Sequence, residues 1–254
     1  MCGRYAITTA PEAVRALFRY EDLPNFPPRY NVAPTQPIGI VRLFEGRRRF
    51  ALVRWGLVPA WVKDPRAFSL LVNARGETLR DKPAFRAAMR YRRCLIPADG
   101  FYEWKRDGAR KRPYFIRPRS HAPMAFAGLW EAWMGPNGEE LETAAIVTTD
   151  ANRMLASIHD RMPAIIAPEA FDRWLDCVNV DEEVAASLIK PAPDDLLEAY
   201  EVSTAVNRAA NDSPALVEPL VAAASPDEVA PTPKMEKPAA KKKSLKDDGQ
   251  PSLF

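Results

Sequence analysis

The chain has 254 residues, 47% of them hydrophobic, and a net charge of only +3. That suits one mixed α+β domain with its own core and an appended tail, and it rules out a nucleic-acid binder that works by bulk charge alone. No run of about 18 apolar residues occurs and the first residues lack an apolar signal region, so no membrane span and no export are expected. Three widely spaced cysteines, Cys2, Cys94 and Cys177, and two histidines, His121 and His159, form neither a disulfide framework nor a metal-ligand spacing. A reducing, cytoplasmic setting fits, with no metal and no cofactor.

The first stretch, Met1-Cys2-Gly3-Arg4, carries distinctive chemistry. With Met1 removed, Cys2 would present an amine and a thiol on adjacent carbons, with ordinary pKa values of about 8 and about 8.5. Such a pair can condense with an aldehyde: the amine forms a Schiff base and the thiolate closes a thiazolidine ring. Residues 5–7 read as a strand. Pro11 suits a first helical turn, and Val14, Leu17 and Phe18 give residues 11–18 one apolar face. Residues 24–37 are proline-rich, and residues before proline avoid the helical region, so an ordered loop is expected rather than an element. Residues 38–43 and 49–54 pattern as a hairpin turning near Glu45-Gly46.

Trp55-Gly56-Leu57-Val58-Pro59-Ala60-Trp61 follows, readable either as loop anchors on a core or as flat faces for a base or sugar. A helix is predicted over residues 83–90, and strands at 94–96, 114–117, 125–133, 142–149 and 200–203. Further helices are predicted at 151–157, 168–175 and 181–189. In Phe101-Tyr102-Glu103-Trp104 a carboxylate sits among large aromatic residues. Buried with them, Glu103 would have a pKa raised towards neutrality and serve as a general acid/base; the alternative is an outward-facing strand residue. His159, between Ile158 and Asp160-Arg161, reads either as a functional group or as a loop histidine satisfied by backbone. Three basic runs, at 47–49, 90–93 and 105–112, are each a solvated loop or strand end taken singly; together they can line a phosphate track.

Six stretches in order resemble the SRAP family of SOS-response-associated, abasic-site-processing proteins. They are Cys2-Gly3-Arg4, Arg29-Tyr30-Asn31-Val32-Ala33-Pro34, Trp55-Gly56-Leu57-Val58-Pro59, Asn73-Ala74-Arg75 with Glu77, Gly100-Phe101-Tyr102-Glu103-Trp104 and His159-Asp160-Arg161-Met162-Pro163. The resemblance implies an α+β fold with a barrel-like antiparallel sheet and peripheral helices over residues 1–224. It implies a monomeric, nucleoid-associated protein acting on abasic sites in single-stranded DNA, whose ring-opened sugar offers an aldehyde to Cys2. Asn73 would then hold the amine, Glu103 would shuttle protons and His159 would assist as a second acid/base or as donor to the sugar oxygen. Arg4, Arg75 and Arg161 would grip phosphates, while Pro34 and Trp61 would stack on or wedge bases. Some relatives carry a second tryptophan where this chain has Val62. Weak lyase activity and release of Met1 are further implied activities; Met1 would be removed by the cell's aminopeptidase, since cysteine is small, or by the site itself, which would explain the peptidase name.

Residues 225–254 alternate proline with charge and read as a disordered tail. Its last residues, Gln250-Pro251-Ser252-Leu253-Phe254, are similar to the peptide by which bacterial replication and repair proteins dock on the sliding clamp, with Gln250, Leu253 and Phe254 filling its subsites. Two rival functions share the motifs: a cysteine hydrolase with Cys2 as nucleophile and His159 as base, and a non-catalytic single-strand-binding adaptor for the clamp.

Overall fold

The computed structural model describes residues 2–220, so the predicted tail and its Gln250, Leu253 and Phe254 lie outside the described residues. Strand β1 (Tyr5–Ile7) is followed by helix α1 (Pro11–Phe18), which starts on its proline and stops where Arg19 turns to φ 55°. Its Val14 and Phe18 are buried. Residues 29–32, expected as loop, form a strand, β2 (Arg29–Val32), because they lie between two prolines and add to the edge of β1. The hairpin of β3 (Pro37–Phe44) and β4 (Arg47–Trp55) turns at Glu45 and Gly46, both at positive φ, the geometry that matches strand twist in a two-residue turn. Then come β5 (Asn73–Arg75), α2 (Pro83–Tyr91), β6 (Arg93–Ala98), β7 (Gly100–Asp107) and β8 (Arg110–Pro118). The chain continues through β9 (Met124–Met134), β10 (Glu140–Asp150), α3 (Arg153–Ala156), β11 (Arg161–Pro163) and β12 (Ile165–Ile166). It finishes with α4 (Phe171–Leu175), α5 (Glu182–Ala186) and β13 (Leu197–Glu201). The late helices are shorter than expected, the one predicted at 168–175 beginning as a 3₁₀ turn, and the strand predicted at 200–203 is shifted to 197–201.

Five strands close a ring in the order β10-β4-β3-β6-β9, with β9 pairing back onto β10. A second sheet, β13-β8-β7-β1-β2, packs on it. The rings of Tyr5 and Phe101 meet Phe126 of the barrel edge-on, at 6.0 and 5.9 Å between centroids. The barrel-like, mainly antiparallel sheet is as expected, with parallel pairing only where β10 runs beside β4 and β5. Peripheral helices cover the barrel. Arg93, 1% exposed, ties them on without a carboxylate by donating to the carbonyls of Trp174, Met89, Asp176 and Val180. No helix among the described residues is long and apolar enough to cross a membrane.

The chain leaves the barrel at Gly56, whose φ of +126° suits glycine, and a Cβ there would lie 2.1 Å from Leu70 Cδ1. Backbone strain and overpacking each cost about 1–3 kcal/mol. Gly56→Ala is therefore expected to lower the unfolding free energy by about 2–4 kcal/mol. Gly108→Ala, at a positive φ in open space, should cost less. Urea titration of both variants gives the comparison.

Candidate functional site

Strand β10 changes neighbours along its length. Up to Ile146 it pairs with β9, and at Thr143 and Ala144 with β4. From Ile146 to Thr148 its partner is β5, and from Thr148 to Asp150 it is β11. This exchange brings Asn73 and Arg75 of β5 to the same end of the barrel as Arg161 of β11. His159 stands just before β11.

The start of the chain reaches this end as an interior strand. Tyr5 and Ala6 pair with Phe101 and Gly100, and the Tyr102 N–H donates to the Arg4 carbonyl at 3.0 Å. The Asp99 carboxylate fixes the far end of β1 by accepting from the backbone N–H groups and hydroxyls of Thr8 and Thr9. Cys2 is fully buried, and Asn73 Nδ2 donates to its carbonyl at 2.9 Å. Asn73 Oδ1 is buried and accepts nothing among the described residues. A buried acceptor without a donor is costly, so it is a natural seat for an N–H group.

Glu103 lies two residues beyond Phe101 on the same face of β7, which faces the barrel. It is 2% exposed, so the outward-facing alternative does not hold. Burial raises its pKa to about 7. Burial, and then the Glu103 charge, push the Cys2 thiol well above its usual range. The resting pair is therefore a neutral thiol beside a carboxyl poised near neutrality.

His159 follows the short helix α3, which Asn152 caps by accepting from the Leu155 N–H at 2.9 Å. Its Nδ1 receives the Arg161 N–H at 2.9 Å and stands 3.0 Å from Asp160 Oδ1, while Nε2 faces Glu103 Oε2 at 3.8 Å. Burial lowers its pKa, so the imidazole is largely neutral near pH 7.

The arginines divide. Arg161 donates to both Glu77 oxygens, to Asp150 and to the Thr148 carbonyl, bracing β5 and β11 across β10. Arg4 donates to Asn31 Oδ1 at 2.8 Å and to the carbonyls of Val206 and Asn207. Arg75 is exposed, as is Trp61, at 61%. Pro34 is half-buried in a turn held by the Thr35 N–H on the Trp55 carbonyl. Val62 is buried against Val58 and Trp133, and its carbonyl accepts from the Trp133 indole.

Sequence reasoning passed over Asp99 and gave Asn31 no part of its own. Asn31 is fully buried and its Nδ2 donates to the carbonyls of Val206, Arg208 and Asn211, so one side chain anchors a whole coil. Of the three basic runs, two are taken up by the fold. Arg47, Arg48 and Arg49 pair with Glu21, Asp172 and Asp22, and Arg92 pairs with Glu131 beside the buried Arg93. Two apolar hollows, of about 190 and 680 Å³, lie elsewhere and are lined by none of Cys2, Asn73, Glu103 or His159. Among the described residues no three His, Cys, Asp or Glu side chains converge to hold a metal ion.

A family model described as SOS response associated peptidase (SRAP) matches residues 1–209. The chain is 42% identical over 222 residues to Abasic site processing protein YoqW of Bacillus subtilis (strain 168), covering 86% of this chain and 99% of that one. It is 33% identical over 259 residues to Abasic site processing protein HMCES of Xenopus tropicalis, covering 84% and 77% respectively. A solved structure from Bacteroides thetaiotaomicron superposes with a TM-score of 0.79 at 27% identity, over 87% of this chain and 100% of its own. From its N-terminal strand to the coil beyond β13, this chain belongs to the SOS response associated peptidase (SRAP) family.

Proposed function

We propose that the protein processes abasic sites in single-stranded DNA by covalent capture on Cys2. The observation that supports this most is the placement of Cys2 at the chain's start, buried beside Glu103 with its carbonyl held by Asn73. The relatives named for abasic site processing point the same way.

Release of Met1 frees the α-amine. Its nitrogen attacks the aldehyde of the ring-opened sugar, and the carbinolamine loses water to give a Schiff base. Asn73 Oδ1 accepts an N–H and aims the nitrogen lone pair. The Glu103 carboxylate takes the thiol proton, the thiolate adds to the C=N carbon, and that proton passes to the ring nitrogen. The net change is aldehyde plus aminothiol to thiazolidine plus water. His159 Nε2, facing Glu103, supplies or accepts a proton during sugar opening and reversal. Arg75 and Trp61, both exposed, meet a flanking phosphate and a base. Pro34 packs beside the strand, Arg4 adds positive charge from where the fold holds it, and Arg161, already paired with Glu77 and Asp150, meets a phosphate without adding net charge.

Cys2→Ala is expected to abolish the stable adduct while the oligonucleotide still binds. Cys2→Ser should leave only a hydrolysable imine, trapped by borohydride. Intact mass after incubation with glycosylase-treated, uracil-containing single-stranded DNA reads both outcomes. Retaining Met1 with the thiol free should block capture, whereas a cysteine hydrolase would keep its activity.

The pH profile carries a sign. Glu103 must be a carboxylate to accept the thiol proton, so capture should accelerate as pH rises through about 7. Glu103→Gln should slow capture about 10²-fold or more. It should also remove that inflection, leaving a rise governed by the α-amine near its ordinary pKa of about 8. Stopped-time gel assays from pH 5 to 9 test this.

Docking on the sliding clamp through Gln250, Leu253 and Phe254 is a separate part of the proposal. Deleting the five C-terminal residues should abolish clamp retention in a pull-down and leave capture of naked DNA unchanged.

A further inference from the structure

Beyond Glu103 the strands β7 and β8 run on as a ribbon that no other strand flanks among the described residues, though Trp104 at its root donates to Asn207. On one side β1 pairs no further than Tyr102, through the Arg4 carbonyl. On the other side β13 ends at Tyr114, followed only by the Val202 N–H on the Pro113 carbonyl. Residues 105–112 therefore project past both flanking strands. They hold five cations, Lys105, Arg106, Arg110, Lys111 and Arg112, against one acid, Asp107.

Cross-strand register makes this run unlike the other two. Arg106 lies directly opposite Lys111, and Lys105 directly opposite Arg112. Like charges placed opposite each other destabilise a ribbon. Arg112 is answered by Glu201 and more distantly by Asp107. Asp107 stands opposite Arg110 in register, but among the described residues no carboxylate forms an ion pair with Lys105, Arg106, Arg110 or Lys111. An anion lying across the ribbon attracts both cations and so offsets the Arg106–Lys111 repulsion. The ribbon also borders the site, since Lys105 lies two residues beyond Glu103 on the same face of β7.

We propose that the β7–β8 ribbon is a second DNA contact, which grips the phosphates of the single strand as it leaves the site, through Arg106, Arg110 and Lys111. The inference rests on the reading of single-stranded DNA as substrate and adds where its flank runs. The register opposes Arg106 and Lys111 on one face and sets Arg110 on the other, so the phosphates of one strand can be held across the tip. Lys105, half-buried at the root, joins the tip to the site.

The test is Arg106→Gln/Arg110→Gln/Lys111→Gln, with binding read on a single-stranded oligonucleotide of about twenty nucleotides carrying a tetrahydrofuran site, which has no aldehyde. Affinity at low salt should fall about tenfold or more. The slope of log affinity against log salt should shrink by about 2, at roughly 0.7 for each phosphate that the variant no longer neutralises. Trimming the oligonucleotide to a few nucleotides on one side, and not on the other, should erase the difference from wild type. Lys82→Gln/Arg86→Gln/Arg90→Gln, at the residue before α2 and along it, removes the same charge and should leave affinity within twofold.

Unchanged affinity and slope in the ribbon variant would overturn the inference, as would an equal loss in the α2 variant. A larger loss on fully duplex DNA than on single strand would also overturn it, assigning the ribbon to a duplex instead. Capture of authentic abasic DNA at saturating oligonucleotide keeps the two readings apart. If wild type forms no adduct, the proposed function fails; if adduct forms in both proteins with equal affinity, only the ribbon fails.

Discussion

Strand β10 serves two structures at once. Its first half closes the barrel against β9 and β4, and its last few residues accept β5 and β11 instead. Because side chains alternate along a strand, a one-residue slip of β10 would turn its whole inner row outward. The barrel core, with Ala145 and Val147 fully buried, forbids that slip. The positions of Asn73, Arg75 and Arg161 are thus fixed by hydrophobic packing some distance from any chemistry. The ion pairs of Arg161 with Glu77 and Asp150 stitch the two short strands across the shared one. Their carboxylates are well exposed, so these pairs contribute order more than stability.

Within that frame the site is governed by desolvation. A carboxyl with little access to water resists ionising, a buried thiol does so still more, and a half-buried imidazole resists taking a proton. All three shifts favour neutral groups, which keeps charge separation low until a substrate arrives. The same burial sets Glu103 against the fold: its ionised form is less favourable folded than unfolded, so native stability falls as pH rises from its ordinary value of 4.5 to about 7 and is level above that. A glutamine would fit the space without that penalty, and it could not carry a proton.

Much of the fold is legible in local sequence. Proline at the first turn and a stripe of Val14, Leu17 and Phe18 are local signals, and α1 follows them. The hairpin of β3 and β4 announces itself by alternation around Glu45-Gly46. Strands β2, β5 and β11 do not, because strands of three or four residues owe their existence to partners far along the chain rather than to their own composition. Clustering of Cys2, Asn73, Glu103 and His159 came from motif resemblance alone, since no spacing rule links residues that four separate strands and loops deliver. The direction Glu103 faces is left open by sequence and follows from β7 register, with Phe101 pointing at Phe126. The arginine runs mislead for an opposite reason. Counting cations says nothing of the acids that reach them from elsewhere, and Glu21, Asp22 and Asp172 all do.

The coil after β13 has one more effect. It leaves Glu201, crosses to Asn31 and Arg4, meets Arg29 and the Tyr30 N–H through Asp212, and returns so that the Leu220 N–H takes the Glu201 carbonyl. Unlike the barrel, the five-stranded sheet is open at both sides, and β2 and β13 are its borders. Unpaired backbone at such borders recruits strands from other molecules. By bonding to each border and by packing Leu216 on the apolar cluster of Tyr102 and Phe115, this irregular segment leaves less unpaired edge and less apolar surface open to such recruitment.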